Sequence, residues 1–172
     1  LSSLITLDCH THILPETLPD FSAEFGYGEF VRLQHHAPKK AWMYKGFKKF
    51  REINANCWDP AIRIEEMKDH GIDMQIICTI PVMFSYWAKP ADGLRISQFL
   101  NDHIAQLFTQ YPQHFIGLAT VPMQNTELAV RELERCKQLG FKGVQIGSNV
   151  NQLNLNAPEF QNFFAACEAL NL

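Results

Sequence analysis

The sequence predicts an α/β fold, a parallel sheet with helices packed outside it, and three observations carry the prediction. Short apolar, β-branched runs alternate with stretches of helical periodicity. The helical stretches have start and stop signals at their ends. The composition is that of one globular domain: 172 residues, 47% hydrophobic and 19% charged. Four strand–helix units make either a small open sheet or half of a (β/α)8 barrel, because a complete barrel takes about 250 residues.

The elements follow in order. LITLD, Leu4–Asp8, reads as a buried strand. Residues 13–58 are rich in aromatics (Phe21, Phe25, Tyr27, Phe30, Trp42, Tyr44) and poor in periodicity. Connections in α/β units usually take about 2–6 residues, so this segment reads as an insertion subdomain with some strand content, within a single domain spanning 1–172. Asp59 then caps a helix with Pro60 at its first position and Gly71 at its end. Ile72–Ile80 is the second strand, followed by the loop PVMFSYWAKP. From Asp92 to Tyr111 the residues Ile96, Phe99, Leu100, Ile104, Leu107 and Phe108 form a helical stripe that Pro112 stops. Phe115–Val121 is the third strand. Asn125 or Thr126 caps the next helix, with Leu133, Cys136 and Leu139 inward and Gly140 at its end. Gly143–Gly147 is the fourth strand, and Asn156 caps a last helix with Phe160, Phe163, Phe164, Cys167 and Leu170 on one face. A fifth strand would begin just past Leu172.

Composition also excludes some functions. A formal charge of -3 and a pI of about 6.2 argue against nucleic acid as a partner. No apolar run is long enough to cross a membrane. The start, LSSLITLDCH, lacks the basic stretch of a signal peptide. Cys9, Cys57, Cys78, Cys136 and Cys167 are scattered and odd in number, which fits a reducing compartment, the cytoplasm, better than a disulfide framework.

The chemistry-bearing residues begin with LDCHTHILP. On a strand, residues i and i+2 face one side, so His10 and His12 project together at the strand's C-terminal end, where parallel α/β folds place active sites. Two neutral imidazoles suit Zn²⁺ or a related ion, but zinc normally takes at least three protein ligands. Cys9 points the other way and is no nucleophile. Lys39, Lys40, Lys45, Lys48, Lys49 and Arg51 form a basic cluster. Most of it reads as a solvated face, with one or two cations free to clamp an anionic substrate, a task for which the arginine fork is best suited. His35, His36, His70, His103 and His114 read as structural. PVMFSYW reads equally as a pocket wall or as the core of its own loop. GYG at Gly26–Gly28 lacks the strand–turn–helix context of a phosphate loop.

DCHTHILP, FGYGEFVRLQHH, FREINANCWDP, IPVMFSYWAKP, GLATVPMQ and GVQIGSNVNQLNLN together resemble the aminocarboxymuconate-semialdehyde decarboxylase family, in the decarboxylating branch of the amidohydrolase superfamily. NCWDP followed by PVMFSYWAKP is the most specific part. The resemblance runs over essentially the whole chain. It implies the N-terminal half of a (β/α)8 TIM-type barrel with a small insertion after the first strand. It implies non-oxidative, zinc-dependent decarboxylation of 2-amino-3-carboxymuconate semialdehyde, a step of tryptophan–kynurenine or nitroaromatic breakdown, with no organic cofactor. By motif match His10 and His12 are zinc ligands, Arg51 binds a substrate carboxylate, Lys45 is a second cation at the pocket, and Phe50 is the arginine's aromatic neighbour. The family's remaining ligands and its catalytic histidine would lie beyond Leu172, as would the arginine that a partner subunit donates in a homodimer. A resorcylate-type decarboxylase, a hydrolase, or a non-catalytic partner-binding chain are the other readings.

Overall fold

The computed structural model describes residues 4–172. Residues 1–3, the front of the stretch read above for a signal peptide, lie outside the described residues. The chain opens with strand β1 (Leu7–His12) and a short helix α1 (Phe21–Phe25). Three strands follow: β2 (Val31–Ala37), β3 (Lys40–Lys45) and β4 (Lys48–Asn54). Regular alternation then begins, with α2 (Pro60–Asp69), β5 (Met74–Cys78), α3 (Pro90–Gln110), β6 (Phe115–Ala119), α4 (Thr126–Leu139) and β7 (Gly143–Val144). A small hairpin, β8 (Asn149–Val150) with β9 (Leu153–Asn154), precedes α5 (Gln161–Leu170).

β1, β5, β6 and β7 form one parallel sheet in that order. Each new strand therefore adds to the same side of the last. The helices start where local chemistry directs. Asp59 Oδ1 accepts from the backbone nitrogens of Ala61 and Ile62 at 2.9 and 3.3 Å, with Pro60 behind it. Asn125 Oδ1 accepts from Leu128 N at 2.9 Å, and α4 ends at Gly140, whose φ of 102° a side chain would resist.

The long segment after β1 is more regular than its pattern suggests. β2, β3 and β4 make an antiparallel meander. Its apolar side does not form a core of its own. Phe21, Phe30, Met43 and Trp58 pack with Met83, Ile96 and Leu100 of the β5–α3 region in one buried cluster. The segment and the first parallel units thus share their hydrophobic driving force.

Several expectations are corrected. β1 covers Leu7–His12, not Leu4–Asp8, and Leu4 and Ile5 are exposed. The fourth parallel strand is only Gly143–Val144, because the chain leaves the sheet at Gln145 to build the β8–β9 hairpin. Leu139 and Phe164 are exposed rather than inward. Each lies on the flank of its helix's buried stripe, which runs through Leu133 and Cys136 in α4 and through Phe160 and Phe163 at α5. Asn156 does not cap α5; a 3-10 turn at Pro158–Phe160 leads into it.

A buried polar network fixes the helices to the sheet. Asn101 of α3 donates from Nδ2 to Thr120 O (2.8 Å) and to Glu132 Oε1 (2.7 Å), and its Oδ1 accepts from Thr120 N (2.8 Å). Arg135 grips both Glu132 oxygens at 2.8 Å and reaches Asp102 at 2.7 Å. The Glu132 side chain is wholly buried. α3, the residue just past β6 and α4 are joined in one set of hydrogen bonds. Truncating Glu132 takes an acceptor from the buried Asn101 amide and the bidentate partner from the partly exposed Arg135, which keeps Asp102. Glu132→Ala is expected to destabilise the fold by about 1–3 kcal/mol, read as a drop in urea midpoint at unchanged slope. A variant within about 0.5 kcal/mol of the parent is the opposite outcome.

Candidate functional site

β1 reaches the site with one residue too many for a regular ladder. Asp8 pairs with Gln75 and Thr11 with Ile77, so three steps on β1 face two on β5. The surplus falls at Cys9–His10 and is a β-bulge, a device that re-aims side chains. Ahead of it Asp8 lies opposite Gln75, whose amide meets Arg63. His10 at the bulge and His12 two residues on have their rings edge to face with centroids 4.9 Å apart. The two imidazoles are therefore side by side, as strand periodicity predicts, and the bulge sets where along β1 that face begins.

His12 is the more constrained of the two. Its Nδ1 lies 3.0 Å from Thr79 O and 3.3 Å from Cys78 Sγ. A carbonyl only accepts, so Nδ1 carries the proton and Nε2 keeps its lone pair. Burial holds His12 below the usual histidine range, His10 and Arg63 push the same way, and the bond to Thr79 opposes them. Burial raises the Cys78 thiol to about 11; it stays protonated and donates to Thr11 O at 3.1 Å. A neutral imidazole with a fixed tautomer and a free Nε2 fits a divalent ion. Among the described residues no group of three or more His, Cys, Asp or Glu could hold one. The pair fits part of a coordination sphere.

The predicted substrate cations fall in two places. Lys45, at the end of β3, lines a cavity of about 760 Å³ with Pro81, Phe84 and Trp87 of the loop after β5 and Gln145 and Asn149 of the segment after β7. This cavity lies at the C-terminal ends of the parallel strands. Arg51 and Phe50 stand on β4, the guanidinium 4.9 Å from the centre of the Phe50 ring. Phe50 is itself the extra residue of a second bulge, since Met43 pairs with Arg51 and Tyr44 with Lys49. Cys57 lies in the turn that ties to Leu14 just past β1; burial raises its thiol, and the charges of Arg63 and Arg51 oppose that. The cavity does not include the histidines or Arg51 in its lining.

PVMFSYW serves both of its predicted purposes. Met83 belongs to the main core, while Pro81, Phe84 and Trp87 wall the cavity. Tyr86 Oη accepts from Gly147 N at 3.1 Å, and Asn151 Nδ2 donates to Tyr86 O at 2.8 Å, so the two cavity loops are pinned together. Gly28 lies under this loop; a Cβ there would stand 2.6 Å from the Trp87 ring.

Other histidines are structural, as expected. His35 stands against Trp58 and bonds Glu16 O. His36 stacks on Trp42 and meets Glu52 at 2.9 Å. His70 bonds Glu66 O at the end of α2, and His114 lies 3.3 Å from Asp73 O. Sequence reasoning missed Arg63, Cys78, Thr79 and Gln145. Position alone could have pointed to Cys78, Thr79 and Gln145, all at the ends of parallel strands. All five cysteines are free.

Residues 7–172 match the amidohydrolase family. The chain belongs to that family. It is 50% identical over 167 residues to the 2-amino-3-carboxymuconate-6-semialdehyde decarboxylase of Dictyostelium discoideum, covering 96% of this chain and 46% of that protein. It is 34% identical over 186 residues to the enzyme of the same name from Caenorhabditis elegans, again covering 96% and 46%. A solved structure, the dihydroxybenzoic acid decarboxylase of Polaromonas sp. JS666 with bound manganese and the inhibitor 2-nitroresorcinol, superposes with a TM-score of 0.69 at 25% identity, covering 96% of this chain and 47% of that one. The chain thus spans about half the length of the curated relatives it matches.

His103, on α3 behind the loop that follows β1, supplies a pH test of this packing. Burial lowers it to about 4, against a bond to Leu14 that raises it, and its Nε2 has no partner. The folded protein keeps this ring neutral, whereas the unfolded chain protonates it near 6.5. Its contribution to stability is complete above pH 6.5 and is lost as the pH falls toward 4. Denaturation midpoints of His103→Gln should fall less steeply than the parent's over that window; parallel curves would contradict the assignment.

Proposed function

We propose that the protein carrying this chain is a divalent-metal-dependent decarboxylase of 2-amino-3-carboxymuconate semialdehyde. In this reading residues 1–172 are the first half of a (β/α)8 barrel in a single domain, with residues 13–58 inserted after its first strand. The observation that carries the reading is the His10–His12 pair at the C-terminal end of β1, in a chain half identical to a named decarboxylase of that substrate. The consecutive strand order β1-β5-β6-β7 supports the barrel, because a doubly wound sheet reverses direction at a switch point.

His10 and His12 would hold the metal, which supplies Lewis acidity when bound. The two imidazoles suit zinc, and manganese in the Polaromonas enzyme makes it the competing choice. Arg51 holds a substrate carboxylate through two parallel hydrogen bonds, with Phe50 bracing the guanidinium. Lys45 offers a second cation from the cavity wall. Two fixed anionic ends orient the bond that breaks. The carbon–carbon bond cleaves, carbon dioxide leaves, and a proton takes its place on carbon, so no redox cofactor is needed. The residue that delivers the proton lies outside this chain. The protein works in the cytoplasm as a homodimer on a small dicarboxylate, without nucleic acid or membrane. Among the described residues no helix is long and apolar enough to cross a membrane.

A second reading, decarboxylation of a hydroxylated aromatic acid, is favoured by the structural likeness to the dihydroxybenzoic acid enzyme. Assaying the full-length protein on both substrates separates the two. The first reading expects loss of semialdehyde absorbance that a chelator abolishes; turnover of dihydroxybenzoate alone would leave the second. His10→Ala and His12→Ala should each lower bound metal and activity by about a hundredfold or more. Arg51→Ala should act chiefly on KM. The 172-residue chain by itself is expected to show no turnover.

A further inference from the structure

Arg63 is an oddly placed charge. It lies on α2, is largely buried, and takes part in no ion pair within 4.0 Å among the described residues. Its acceptors are neutral. Nε and Nη2 donate to Asn56 O at 2.9 and 2.7 Å, Nη2 also donates to His12 O at 2.6 Å, and Nη1 donates to Gln75 Oε1 at 3.1 Å. Burial lowers its tendency to hold the proton, and Cys57, Glu66 and Asp8 nearby raise it. Desolvating a guanidinium for surface stability alone is poor design, since apolar side chains could fill the space at less cost.

The three acceptors explain the expense. His12 O is the last carbonyl of β1 and belongs to the more constrained imidazole. Asn56 is in the 3-10 turn Ala55–Cys57, which begins where β4 ends, and β4 carries Arg51. Gln75 is on β5, the strand that pairs with β1. One rigid fork therefore joins the strand bearing the histidines to the turn that ends the strand bearing the substrate arginine. Leu14 N, bonded to Cys57 O at 3.0 Å, is the only other hydrogen bond among the described residues between that turn and the exit of β1. Lysine could reach one of these acceptors but not hold all three, because only the planar guanidinium donates in several fixed directions.

We propose that Arg63 is a positioning residue that sets the spacing between the His10–His12 pair and Arg51. It touches neither metal nor substrate and works through two backbone carbonyls and the Gln75 side chain. The inference rests on the decarboxylase reading above, in which those residues meet one substrate.

The test uses the full-length protein with Arg63→Lys and Arg63→Ala, measuring metal affinity by chelator competition, kcat and KM for the semialdehyde, and thermal midpoint. Arg63→Lys is expected to fold, with metal affinity and kcat/KM each reduced about tenfold to a hundredfold. Arg63→Ala should be rescued in part by added guanidinium, because its side chain lines a cavity of about 320 Å³ through which the ion can enter. If Arg63→Lys fails to fold, Gln75→Met removes one acceptor and leaves the charge; the same two quantities should then fall, by a smaller factor. A folded Arg63→Lys, or failing it Gln75→Met, with parental metal affinity and kcat/KM would overturn the inference while leaving the decarboxylase intact. A parent protein that binds no divalent metal and turns over no semialdehyde would overturn both. A lowered thermal midpoint with unchanged metal affinity and kinetics would reduce Arg63 to a structural residue and so also defeat the inference.

Discussion

Everything at the candidate site hangs from the pairing of β1 with β5. β1 has a neighbour on one side only among the described residues, and its ladder to β5 contains a bulge. A strand held by one irregular ladder is free to slide or twist unless something fixes its end. Three contacts do so. The Thr11 hydroxyl donates to Ile76 O, the Cys78 thiol donates to Thr11 O, and Arg63 takes His12 O. The histidines are positioned by backbone carbonyls gripped from the neighbouring strand and helix, and His12 also by the bond of its own ring to Thr79 O.

The same principle recurs one strand further on. Asn101 reads both the nitrogen and the oxygen of Thr120, just past β6, and hands the interaction on to Glu132 and Arg135. Main-chain groups at the ends of parallel strands leave the ladder and need partners. This chain supplies them with long polar side chains reaching in from the helices. The end of β6 is thereby bonded to both α3 and α4.

Much of this was legible in the sequence. Strand–helix alternation, the Asp59 and Asn125 caps and the shared face of His10 and His12 follow from local rules that the structure keeps. The meander was not, because β2 and β4 are largely solvent-facing and their apolar residues do not alternate cleanly. The bulge at Cys9–His10 was not, because the surplus residue appears only when β1 is laid against β5. Arg63 was invisible for another reason: two of its acceptors are carbonyls, which every residue has, and no pattern of side chains announces them. Of the two cations expected to meet substrate, Lys45 lines the cavity, whereas the place of Arg51 depends on how β4 is tethered.

The meander also bears on how the chain reaches this state. β1 and β5 are separated by all the residues from Ile13 to Asp73, and closing so long a loop costs entropy before the first ladder bond forms. The contacts of β2 with β3 and of β3 with β4 are all between near neighbours in sequence. Local contacts form faster than distant ones. A meander already folded holds its two ends at a fixed separation, so β1 and β5 meet at the cost of a shorter loop. The segment between β1 and β5 is thus a compact connector, which lowers the entropy cost of the pairing that carries the histidines.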